Sequence, residues 1–234
     1  MNPAFARTLA AAGAAALLLS GCAVFERASA EPEEEVDPVY AEMAAWDACE
    51  VLDNLAPITE YMGIEGYGSS TSGGRDWPST MKIGNTWDPG AIGCNDLIYL
   101  GSIEGLGMSG EIKVKIVPSE NENLSKTQYF ERVASAEMSS AKWDDVKTET
   151  FNGPWDEGTM ISWVGAAENP EVEVIAREGQ WLFHIQLYHN YDRGERIGRE
   201  PSFPFTIEER NRWFVDTYLP EVNQTINDKL AEVQ

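Results

Sequence analysis

Two stretches in the C-terminal half alternate with period two and are separated by a turn. Val172, Val174 and Ala176 point one way along the first. Trp181, Phe183, Ile185 and Leu187 line one face of the second, with Glu178-Gly179 between them. Successive side chains of a strand point to opposite faces, so this pattern specifies two strands, each with one apolar face. An acidic residue followed by Gly is a hairpin turn. Local hairpins of this kind make an antiparallel sheet, covered on its apolar face, the economical fold.

Other segments fit that frame. Ile112, Val114 and Ile116 alternate with Glu111, Lys113 and Lys115, which predicts another half-buried strand. Shorter strands are expected at Leu97–Leu100, Val146–Phe151 and Met160–Gly165, while residues 64–95 are Gly/Ser-rich and irregular, with room for one short strand. A helix is expected from Asp47 to about Met62, broken at Pro57 and ending before Gly63. Ser125-x-x-Gln128 reads as a capping box opening a middle helix, with Tyr129, Phe130, Val133, Ala134 and Met138 as its apolar face. Thr206-x-x-Glu209 is a second box. It opens a last helix whose stripe is Ile207, Phe214, Val215, Tyr218, Val222, Ile226 and Leu230, and Pro220 should kink or split it. The expected class is α+β: a single antiparallel sheet flanked by N-terminal, middle and long C-terminal helices. This order is similar to the PsbP-like α/β/α sandwich, a likeness of fold that carries no function.

The first residues are of a different kind. Arg7 precedes Thr8–Leu19, an uncharged Ala/Leu run. That run is shorter than the roughly 20 residues a membrane-crossing helix needs, and it fits the apolar part of a secretory signal. Leu19-Ser20-Gly21-Cys22 resembles the bacterial lipobox. The resemblance implies lipid transfer to the Cys22 sulfur, cleavage before Cys22 and acylation of the new amine. A cysteine thiolate is the nucleophile that takes the lipid, and two or three acyl chains anchor stably where one is marginal.

The chain has three cysteines, Cys22, Cys49 and Cys94, and an odd count in an exported protein needs an explanation. Lipidation of Cys22 leaves one even pair. Cys49 and Cys94 can then form a disulfide outside the reducing cytoplasm, worth roughly 4 kcal/mol in the chain-entropy picture. Residues 1–21 are accordingly read as the signal, 22–45 as an acidic tether around Glu31-Pro32-Glu33-Glu34-Glu35, and 46–234 as one α+β domain.

Trp46-Asp47-Ala48-Cys49-Glu50-Val51-Leu52 resembles the opening of a group of actinobacterial exported lipoproteins. That group starts on Asp-x-Cys-x-aliphatic-Leu, continues in a helix ending at a Gly, here Gly63, and has a second cysteine, here Cys94. The middle helix and the terminal hairpin with Gly179 are also similar. One departure is Asp96, where the family often has an aromatic residue. The family has no assigned activity, so the resemblance implies location, disulfide and fold.

The formal net charge is −22. Nucleic-acid binding requires basic patches that neutralise phosphates, and docking on anionic lipids requires the same. Neither suits this chain, so membrane attachment falls to the lipid on Cys22. Catalytic patterns are sparse. Ser79-Thr80-Met81-Lys82 matches the Ser-x-x-Lys of penicillin-binding proteins, but the Ser-Asp-Asn triplet is absent and Glu149 follows Lys147-Thr148 where that family has Gly. Ser139-Ser140-Ala141-Lys142 repeats the pattern by chance. His184 and His189, five apart on a strand, point to opposite faces and make poor joint metal ligands. No cofactor motif is present.

Two features are candidates for binding. Tyr67, Trp77 and Trp87 lie in the Gly-rich stretch, where an exposed aromatic side chain can stack on a sugar or anchor a partner. The alternative is that they fold back over the sheet. Arg193, Arg196 and Arg199 form a small basic cluster suited to an acidic polymer or lipid headgroup, although Asp192, Glu195 and Glu200 are interleaved with it. The expected function is a non-catalytic, lipid-anchored envelope protein that binds another envelope protein, a glycan or a lipid. A carrier with an apolar pocket is the alternative, and a serine hydrolase using Ser79 and Lys82 a further one.

Overall fold

The computed structural model describes residues 36–86 and 88–232. The expected signal, Cys22, the first part of the expected tether and Trp87 lie outside the described residues. Three short helices come first: α1 (Pro38–Ala45), α2 (Ala48–Val51) and α3 (Ala56–Met62). Strands β1 (Gly66–Tyr67), β2 (Ser79–Lys82), β3 (Ile92–Ile103) and β4 (Leu106–Pro118) follow, then helix α4 (Glu122–Ser140). Next is the meander β5 (Asp144–Phe151), β6 (Glu157–Val164), β7 (Pro170–Glu178) and β8 (Trp181–His189). Helix α5 (Arg193–Arg196) leads to α6 (Ile207–Trp213), a π turn over Phe214–Tyr218, and α7 (Leu219–Ala231).

Among the described residues, eight strands form one sheet in the order β1-β3-β4-β8-β7-β6-β5, with β2 also on β3. Every pairing is antiparallel. The predicted hairpin is present, with Glu178 opposite Trp181 and Gly179 in the left-handed conformation its turn demands. The alternating residues sort the two faces as expected. Ile112, Val114, Phe183 and Ile185 bury one face against Leu55 and Ile58 of the N-terminal part and Phe214 and Ile226 of the C-terminal helix. Val117, Ile161, Ile175 and Leu182 bury the other against Tyr129 and Ala136 of α4. The α+β class, with one antiparallel sheet between helices, is the fold.

The folded unit begins earlier than the expected boundary at residue 46. It starts at Val36. Asp37 accepts from the backbone N–H groups of Val39 and Tyr40 and caps α1, while Pro38 suits the first helical turn. Gln180, in the β7–β8 turn, donates to the same carboxylate, and Met43 is fully buried. The Pro-bounded acidic run is therefore in part a helix start.

Three local expectations are corrected. The N-terminal helix breaks at Asp53-Asn54-Leu55, three consecutive left-handed residues that drive Leu55 into the core. Pro57 opens α3 rather than interrupting a helix. Asn121, not Ser125, caps α4 by accepting from Leu124 N–H. Ser125 lies one turn inside, buried, and donates to the Gly179 carbonyl. The buried stripe of α4 is consequently Ser125, Tyr129, Ala136 and Ser140, leaving Phe130 53% and Met138 74% exposed. The Thr206/Glu209 box is formed in full. Pro220 is the second residue of α7, in its first turn just after the π turn, where its missing donor does not end the helix.

Candidate functional site

The helices on the first face do not cover the β5–β6 end of the sheet, and a cleft of about 970 Å³ opens there. Its floor is built by strand alternation. Lys147 and Glu149 of β5 sit opposite Ser162 and Met160 of β6, so these four side chains share the cleft face with Phe151 and Val164. Phe151 lies over Gly158, where a Cβ would come within 2.2 Å of the ring. Gly158 is thus what lets the aromatic lie flat at the bottom.

The opposite wall comes from residues 203–216. Phe203 and Phe205 stack at 5.4 Å, with ring planes 6° apart, and both meet the edge of His189. Asp192 fixes this loop by accepting from the backbone N–H groups of Glu195, Ser202 and Phe203. Burial opposes its ionisation, but these hydrogen bonds outweigh it and hold the carboxyl below its ordinary range. The π turn completes the wall by presenting Val215 and Asp216.

The rim is strongly acidic. The sheet side contributes Asp145, Glu149, Glu171 and, from the β6–β7 connection, Glu168, and the C-terminal side contributes Asp192, Glu195, Glu208 and Asp216. Against these eight carboxylates, the lining holds two cations, Lys147 and Arg212. Glu168 is paired with Arg196 at 3.4 Å. Burial and the neighbouring Glu173 push the Glu171 carboxyl up. An excess of one charge around a low-dielectric floor focuses potential and concentrates ligands of the opposite sign. A concave, largely apolar surface with polar groups at its margin is the common form of a small-ligand site.

The residues singled out from sequence are scattered. Cys49 and Cys94 are joined by a disulfide, with Cα atoms 4.9 Å apart, fastening α2 to β3. Tyr67 is fully buried and its hydroxyl hydrogen-bonds that of Thr59 at 2.6 Å, so it is a core residue. Trp77 is 61% exposed but far in the sequence and sheet order from the cleft. Arg196 and Arg199 go to separate acids, Glu168 and Glu104, and Arg193 is half-buried. They do not converge as a basic patch. Ser79 donates to Asp96 at 3.3 Å and, three residues from Lys82 on a strand, faces away from it. Asp96 also pairs with Arg75, which fastens the Gly-rich loop to β3.

The histidines are on opposite faces, as their spacing requires. His184 is buried beside Glu173 at 2.9 Å under α4, and His189 is buried against Arg210. The cleft residues themselves were not found by sequence reasoning. The nearest signal was Phe203-Pro204-Phe205, an aromatic pair held in a non-helical segment. No protein-family model matches the chain, and no curated protein or solved structure matches it.

Proposed function

We propose that the chain is a non-catalytic, lipid-anchored cell-envelope protein, held on the outer face of a membrane through Cys22. Its cleft binds a ligand that is cationic and partly apolar. The observation that carries this reading is a lining of eight carboxylates against two cations, beside the aromatic surface of Phe151, Phe203 and Phe205. Such a rim repels fatty acids and anionic headgroups, which narrows the carrier alternative to cationic ligands as well. The separation of Ser79 from Lys82 by strand geometry supports a binding role over a serine hydrolase.

The test is calorimetric titration of the full chain with decyltrimethylammonium and with decyl sulfate, both below micelle-forming concentration. The cation is expected to bind saturably at one site and to shift the methyl resonances of Met160 and Val215. Equal binding of the anion, or no saturable binding of the cation, overturns the reading.

A further inference from the structure

Building on the cleft reading above, we infer that the free edge of β5 takes an extended, basic segment of a partner polypeptide as an additional strand. The two ends of the sheet are finished differently. At one end β3 is covered by β1 and β2, by the Tyr67–Arg75 bridge and by the disulfide at Cys94. At the other end no strand lies beyond β5 among the described residues, and Asp144–Thr150 are exposed. An unpaired strand edge is a template for another chain, which is why proteins ordinarily blunt or cover it.

The blunting on β5 is confined to its start. The register with β6 shifts between Asp144 and Lys147, and Asp145 is left-handed with φ 50°. From Lys147 to Phe151 the pairing is regular. This stretch includes Thr148, Thr150 and Phe151, which favour strands. On the cleft side the edge displays Glu149 between Lys147 and Phe151, with Glu208 and Asp216 also in the lining. A strand added here meets a face on which carboxylates outnumber the cations Lys147 and Arg212, and the Thr148/Thr150 row on the other. The complementary segment carries basic residues at alternate positions and β-branched residues between them. Main-chain hydrogen bonds then supply affinity, and the alternate side chains supply selectivity.

The test uses the full chain and a labelled, end-blocked heptapeptide alternating lysine and valine, followed by fluorescence anisotropy. Two versions carry backbone N-methyl groups on all lysines or on all valines. In a strand these two sets of N–H groups point to opposite edges, so only one version should lose binding, by about tenfold or more. Amide exchange should slow at alternate positions from Lys147 to Phe151. Spermine is titrated alongside. If both methylated peptides bind as the parent does, or if spermine binds and the peptide does not, strand addition is overturned and the cleft reading stands. If neither spermine nor any peptide binds, the cleft reading falls with it.

Discussion

Nη1 of Arg210 donates to Nε2 of His189 across 2.6 Å, a fully buried cation resting on a neutral ring. Nδ1 of His189 donates to the Asn190 carbonyl, which fixes the tautomer that leaves Nε2 as the acceptor. Nε and Nη2 of Arg210 both donate to Oδ1 of Asn211, itself part of the cleft wall. Burial, then the Arg210 charge, pushes His189 down to about 3, and burial pushes Arg210 down to about 9.

This relationship makes stability depend on pH in a defined direction. A histidine lowered on folding contributes stability that is present above its unfolded value of about 6.5 and is lost as pH falls toward its folded value. Between pH 7 and pH 5 the wild type should lose on the order of 1–2 kcal/mol from His189 alone. Chemical denaturation at the two pH values should show that loss, reduced in His189→Gln. His184, also lowered by burial, contributes in the same direction and leaves a residual slope.

Two buried tyrosines should respond oppositely to loss of their hydroxyls. The Tyr218 hydroxyl is buried without a hydrogen-bond partner, whereas that of Tyr67 bonds Thr59. An unsatisfied buried polar group costs about 1–3 kcal/mol, and a made hydrogen bond is worth about 1. Tyr218→Phe should therefore raise unfolding free energy by about 1 kcal/mol, and Tyr67→Phe should lower it by a similar amount. Urea titrations of both variants check the pair.

The Cys49–Cys94 bridge spans 45 residues and holds the N-terminal helices to β3. Reduction should add two hydrogens to the intact mass and lower stability by about 4 kcal/mol. A reduced protein of unchanged stability would show that the core alone carries this junction.

The anchor has its own check. Radiolabelled palmitate should enter the wild type and fail to enter Cys22→Ser. Lipid retained in that variant would remove Cys22 from the account.

Much of the sheet is legible in the sequence because its faces differ. Trp181, Phe183, Ile185 and Leu187 recur at every second position, and a period of two has one structural meaning, even though Leu182 and His184 between them are buried on the other face. The Thr206/Glu209 box is legible because both partners of a cap lie within one turn. The Asp53-Asn54-Leu55 reversal is not, since no glycine marks it and tertiary burial of Leu55 imposes it. In α4 the expected Tyr129 is buried and Val133 packs beside it, but the polar Ser125 and Ser140 are also buried while Phe130 and Met138 are exposed, so hydrophobicity alone places only part of the stripe. The cleft is the least legible part. Its acids come from β5, β7 and residues 168–216, and only the sheet order brings them together.

The most direct measurement of the central claim is the affinity of decyltrimethylammonium for the wild type and for the double variant Glu149→Lys, Asp216→Lys, at low and at high salt. Both residues are exposed at the rim, so the fold should tolerate the change. The account predicts wild-type binding that weakens with salt, and a loss of about tenfold or more in the variant. Equal affinity of the two proteins, independent of salt, would contradict it.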